Sequence, residues 1–170
     1  YFEKILQAEV YEVAKKTPLE KAHNLSNTLN NEVFLKREDL QDVFSFKIRG
    51  AYNKMSKLTN SQLSQGVITS SAGNHAQGVA LSALKLNCQA TILMPITTPL
   101  VKVNAVKKLK AKVILFGDNY DETYKEAIRI SKERNLCFIH PFDDPDVIAG
   151  QGTIAIELEQ QLMDLSLIHI

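Results

Sequence analysis

Apolar and β-branched residues fall into short runs along the chain, separated by longer stretches in which they recur every three or four positions. The runs are "EVFLKRE" (32–38), "GVITSS" (66–71), "ATILMP" (90–95), "KVILFG" (112–117) and "CFIHPF" (137–142), and each predicts a strand. Helices are expected between them. "AGNHAQGVALSALKLN" is rich in alanine and leucine, and "PLVKVNAVKKLK" carries Pro99 near its first turn. In "NYDETYKEAIRISKERN" the residues Tyr120, Tyr124, Ala127 and Ile128 share one stripe, with an Asp121 to Lys125 pair expected on a wetter side. Strand and helix in alternation predict an α/β fold, an open and mostly parallel sheet with helices on its faces in three layers. Ligands of such sheets sit outside the carboxyl ends of the strands, so the loops there are where chemistry is sought.

Composition narrows the partner. The 170 residues are 45% hydrophobic and 23% charged, enough for an ordinary core, and the net charge of +1 supplies no field to collect nucleic acid or a membrane surface. Any bound anion must be caught by local geometry, and the partner is expected to be a small molecule. Cys88 and Cys137 form neither a CxxC nor a pair with histidine at metal-ligand spacing, so no metal site is expected and a reduced, cytoplasmic compartment fits. No apolar run approaches the roughly 20 residues of a membrane span, and "YFEKILQAEV" lacks the layout of a signal peptide. The absent initiator methionine suggests a trimmed amino end.

Two features carry candidate chemistry. In "SSAGNHAQG" (70–78), which follows a strand and opens a helix, the N–H groups of Ala72, Gly73, Asn74 and His75 can converge on an anion. The spacing matches neither GxGxxG nor GxxxxGK[ST]. A plain reading is a tight turn capped by Ser71 or Asn74, with His75 a solvated or capping residue. The second feature is "SFKIRGAY" (45–52), which sets Lys47 and Arg49 at a helix start, where the dipole opposes positive charge. Phe46 and Ile48 would desolvate the Lys47 ammonium, and Arg49 would disfavour its charge further, leaving a free amine able to form a Schiff base.

"SFKIRGAY", "SSAGNHAQGVA", "MP" followed by "TPLVKVNAV", and "HPFDDPDVIAGQGT", in that order, resemble the motifs of the threonine dehydratases, pyridoxal-phosphate enzymes of fold type II. "TPLEKAHNLS" and "KRED" extend the resemblance, which runs from Val10 to about Leu162. It implies pyridoxal 5'-phosphate as cofactor, held covalently by Lys47, which then works as the base on the substrate's α-carbon. It implies Phe46 against the pyridine ring, Asn74 on the cofactor's 3'-oxygen, and Ser71, Gly73 and His75 in the loop that grips the substrate carboxylate. The implied reaction is dehydration and deamination of L-threonine to 2-oxobutyrate, the first step of isoleucine synthesis, by a homo-oligomer. Alternatives are a catabolic serine or threonine dehydratase, a serine racemase-like enzyme, or a non-catalytic anion-binding module. Related serine racemases carry a serine where Ala72 stands, and a methyl group cannot serve as their second base.

Other features deflate. "FDDPD" (142–146) looks like a metal cluster, yet Asp144 before Pro145 reads as a helix cap; "KVNAVKKLKAK" reads as a solvated helix face, and "GQG" (150–152) as close helix packing. Lys110 stands where the family has a glycine, so a strained turn is expected. The family's phosphate-binding glycines have no counterpart here, and "LSLIHI" does not resemble the family. The chain is therefore expected to be an inactive amino-terminal fragment, with residues 66–146 as a small α/β domain and 1–65 and 147–170 as parts of a truncated cofactor domain.

Overall fold

A computed structural model describes residues 1–162. The chain opens with α1 (Phe2–Leu6), β1 (Leu19–Lys21), α2 (His23–Leu29) and β2 (Phe34–Lys36). A 3-10 turn at Glu38–Leu40 leads to α3 (Lys47–Met55) and α4 (Asn60–Gln65). Then strands and helices alternate: β3 (Val67–Ser70), α5 (Asn74–Lys85), β4 (Ala90–Met94), α6 (Leu100–Lys108), β5 (Lys112–Leu115), α7 (Tyr120–Glu133), β6 (Cys137–Phe138) and α8 (Pro145–Gln161).

The main sheet has four parallel strands in the order β5-β4-β3-β6. β3 and β4 are buried at every position, as expected of central strands with both faces covered, and their apolar runs are continuous for that reason. One face, through Val67, Ile92, Met94 and Ile139, packs on Ala76, Val79, Ala80 and Ala83 of α5 and on Val103 and Val106 of α6. The other, through Ile68 and Leu93, packs on Ala127 and Ile130 of α7. This is the three-layer α/β arrangement the pattern predicts. Burying each valine, isoleucine, leucine or methionine here contributes about 1.5–3 kcal/mol, and each alanine methyl about 0.8 kcal/mol.

Two expectations are corrected. The "EVFLKRE" strand does not join the parallel sheet: β2 pairs antiparallel with β1, Leu19 opposite Lys36, in a separate two-stranded ribbon. β1 itself, "LEK", has one apolar position in three, too little alternation to signal a strand. The Asp121–Lys125 pair is also absent among the described residues. Arg129 instead bridges Glu126 and Glu133, while Asp121 sits in the first turn of α7, where the dipole favours an acid. The buried stripe of that helix is Thr123, Ala127 and Ile130, leaving Tyr120 largely outside.

Local signals are otherwise obeyed. Asp144 caps α8, accepting from the N–H groups of Asp146 (2.8 Å) and Val147 (3.2 Å), with Pro145 at the first helical position. Lys110 lies in the left-handed region at φ 63°, as expected of a turn where a glycine would be unstrained. α3 and α8 cross at two glycines: a Cβ on Gly150 would stand 2.6 Å from the Arg49 carbonyl oxygen, and one on Gly50 would stand 2.6 Å from that of Val147. The segment "LSLIHI" lies outside the described residues.

Candidate active site

The strand order reverses at β3. The chain steps from β3 through β4 to β5 on one side, then returns to lay β6 on the other. Such a switch point opens a crevice at the carboxyl ends of the two diverging strands. Two loops face it, Ser71–Gly73 after β3 and Ile139–Asp144 after β6, and α3 brings Lys47 to the same place.

Lys47 is the first residue of α3. Its ε-amine donates to the carbonyl oxygen of Pro141 at 2.8 Å and stands 5.5 Å from the centroid of the Phe46 ring. Burial lowers its pKa from the ordinary lysine value. α5 comes very close from behind: a Cβ on Gly78 would lie 3.1 Å from the carbonyl carbon and oxygen of Lys47. The missing side chain at Gly78 therefore sets the distance between the lysine and the helix that starts at Asn74.

The loop before α5 has the openness an anion cup needs. No side chain caps the helix, so its first N–H groups are not consumed from within; Ser71 Oγ accepts only the Gly73 N–H, at 3.3 Å. A Cβ on Gly73 would meet nothing within 4 Å, so free space lies against the loop. Asn74 is exposed at the helix start, and Ala72 is half-buried.

His75 departs from its plain reading. It is neither solvated nor a cap: the residue is 3% exposed, and its Nε2 lies 3.2 Å from the Ile139 carbonyl. A carbonyl only accepts, so Nε2 carries the proton and Nδ1 is a bare acceptor, buried and unpartnered. Burial, with smaller contributions from nearby Lys47 and His140, pulls its pKa down to about 4 against the opposing Ile139 hydrogen bond. The imidazole is neutral near pH 7, and only the backbone of His75 remains for the anion cup. Thr69 Oγ1 donates to the same Ile139 oxygen at 2.7 Å.

Arg49 does not contribute to the site. Its side chain is fully buried on the far side of α3, where its guanidinium donates to both oxygens of Glu38 (2.9 and 2.8 Å) and of Glu157 (2.6 and 3.1 Å). Burial opposes this charge, but the two carboxylates more than offset it and raise the pKa. Glu157 is also reached by Lys36 (2.6 Å) and the Tyr11 hydroxyl (2.9 Å). The expectation that Arg49 disfavours the Lys47 charge is thus corrected, because its own charge is already met by two acids.

The segment Ile139–Asp143 was not foreseen as part of the site. Its residues read as strand and cap, and the signal that it faces Lys47 is the strand order, which a single sequence does not carry. No group of three or more ligand side chains suited to a metal occurs among the described residues.

Comparison with known proteins agrees with this fold. The family described as "Pyridoxal-phosphate dependent enzyme" matches residues 10–168. A biosynthetic, chloroplastic threonine dehydratase 1 of Solanum lycopersicum is 58% identical over 164 residues, covering 96% of this chain and 27% of its own length. A biosynthetic L-threonine dehydratase of Burkholderia multivorans is 56% identical over 164 residues, covering 95% of this chain and 32% of its own. The solved processed form of threonine deaminase isoform 2 from Solanum lycopersicum superposes with a TM-score of 0.92 at 53% identity, covering 96% of this chain and 45% of that one. This chain thus spans less than a third of the curated relatives it matches, and at least one of them belongs to an organelle. By the extent of that match and by its fold, the chain belongs to the family of pyridoxal-phosphate dependent enzymes.

Proposed function

We propose that the protein containing this chain converts L-threonine to 2-oxobutyrate and ammonia, the first step of isoleucine synthesis. The observation that carries this reading is Lys47, whose buried-side amine has a lowered pKa and stands in the switch-point crevice beside an uncapped helix start. A larger free-base fraction at neutral pH is what attack on an aldehyde requires, so the residues present suit attachment of pyridoxal phosphate. The names of the relatives support threonine among amino acids.

When bound, the cofactor supplies an electron sink for negative charge at the substrate's α-carbon. The chain's own residues do the rest. Lys47 holds the cofactor and, once released, removes the α-proton at Nζ. Ser71 and the N–H groups from Ala72 to His75, Gly73 among them, grip the substrate carboxylate, helped by the positive end of α5. Phe46, exposed beside Lys47, and Asn74, exposed at the start of α5, would help hold the cofactor, Phe46 against its ring and Asn74 at its 3'-oxygen. Loss of the β-hydroxyl follows; one water leaves and one is taken up as ammonia departs. Ala72 offers no proton to the opposite face, which favours elimination over racemisation.

The same reading divides the chain into a small domain, residues 66–146, and flanking parts of a larger cofactor domain, and makes the complete protein a homo-oligomer. The two unpaired thiols, Cys88 and Cys137, support a reducing compartment, the cytoplasm or an organelle interior.

Borohydride reduction of the complete protein after incubation with pyridoxal phosphate tests the reading. The adduct is expected on the peptide carrying Lys47, absent in Lys47→Ala, together with turnover of threonine ahead of serine and no racemisation of L-serine. An adduct elsewhere, or none, overturns it.

A further inference from the structure

Lys47 is held by a backbone oxygen, and that oxygen is held by a side chain. The Pro141 carbonyl receiving the ε-amine belongs to a turn whose next two N–H groups, Phe142 (3.3 Å) and Asp143 (2.7 Å), both donate to His140 Nδ1. Nδ1 therefore bears the lone pair, and the ring proton is on Nε2. The imidazole is fixed in turn by edge-to-face contacts with Tyr124 (6.2 Å), Phe138 (6.1 Å) and Phe142 (4.7 Å between centroids). These contacts tie the turn to β6 and to α7, so the aim of the Pro141 oxygen is set by the main sheet and its covering helix.

We propose that His140 is a positioning residue for Lys47, acting through the turn it closes and the Pro141 carbonyl that turn presents to the ε-amine. An amine that donates one N–H to a fixed oxygen has its remaining directions fixed as well, which leaves the lone pair aimed away from Pro141. For a group that must meet first an aldehyde carbon and then an α-proton, that orientation is what a static acceptor supplies. The inference rests on the function proposed above.

The test uses the complete protein and two substitutions that divide the properties of His140. His140→Phe keeps a ring for Tyr124, Phe138 and Phe142 but has no acceptor; His140→Asn loses the ring but restores an oxygen able to receive N–H groups two and three residues on. Two readouts are taken: amide hydrogen exchange at Phe142 and Asp143, and the rate at which borohydride traps pyridoxal phosphate on Lys47. With His140→Phe both amides should exchange at least about tenfold faster and trapping should slow by about tenfold or more, while His140→Asn stays within about threefold of the unsubstituted protein in both. Unchanged trapping in His140→Phe overturns the inference. So does equal slowing in both variants, which would assign the effect to ring packing. Failure of the unsubstituted protein to be trapped overturns the proposed function instead, and the exchange readout still reports whether His140 closes the turn.

Discussion

Two glycines near Lys47 are glycine for different reasons, and substitution separates them. At Gly73 an added Cβ meets nothing within 4 Å, so Gly73→Ala should fold with an unchanged Tm. The methyl group would intrude on the space where the proposed function puts the substrate carboxylate, and on that reading KM for threonine is expected to rise by about tenfold. An unchanged KM would remove Gly73 from the site. At Gly78 the Cβ lies 3.1 Å from the Lys47 backbone, so Gly78→Ala must push α5 from α3, destabilising by about 1–3 kcal/mol in urea titration. It should also slow trapping at Lys47, and normal stability with normal trapping would mean the close approach is not needed. At this scale placement was legible where it is local: residue type and order put Lys47 at the start of α3 and the Ser71–Gly73 loop before α5, as observed. His75 was not, because its burial depends on Ile139, 64 positions along the chain.

The joint between α3 and α8 is made of charge as well as glycine. The side chains of Arg49 and Glu157 are both fully buried, and Lys36 at 10% exposure shares the same carboxylate. Burial works against the Glu157 carboxylate, but hydrogen bonds from Arg49, Lys36 and Tyr11 prevail and hold its pKa below the ordinary value. Replacing Glu157 with Leu leaves Lys36 without its acid and half the Arg49 guanidinium unmatched, an expected loss of about 3–5 kcal/mol in urea unfolding. Adding Lys36→Met should restore part of it, since the cation left without a carboxylate is then gone while Arg49 keeps Glu38. A single-variant loss below about 1 kcal/mol would mean the network only breaks even with apolar packing. None of this was legible in sequence. The helix dipole opposes positive charge at both the opening lysine and the arginine of α3, but Arg49 is met by acids of the chain itself, 11 and 108 positions away. Elements with strong local signals, such as the Asp144–Pro145 cap and the continuous apolar runs of β3 and β4, were read correctly for the opposite reason. The three-residue β1 carried too little pattern to be read at all.

The whole molecule joins these pieces by one topological fact, the return of β6 beside β3, which brings Ile139 and Pro141 to His75 and Lys47. Alternating strands and helices announced the layered fold, but strand order is a property of long-range pairing and stayed hidden. That arrangement has a thermodynamic consequence. Burial holds the native His75 pKa at about 4, against an ordinary histidine value of 6.5, so between these values the unfolded chain binds more protons than the native one. Stability contributed by the neutral imidazole is complete above about pH 6.5 and is lost as the pH falls toward 4. At about 1.4 kcal/mol per unit the loss amounts to roughly 3 kcal/mol. Asp144 and Glu157 also have lowered pKa values, so their contributions are lost only as pH falls below their ordinary values of 3.8 and 4.5. Acid destabilisation should therefore begin with the histidine. Urea midpoints from pH 7.5 to 4.5 should fall for the natural sequence, and His75→Gln should flatten most of that slope while leaving the steeper loss below about pH 4.5. Should His75→Gln fail to fold, NMR titration of the native imidazole gives the same answer: no protonation of His75 above about pH 5 supports the assignment, and an ordinary midpoint near pH 6.5 contradicts it.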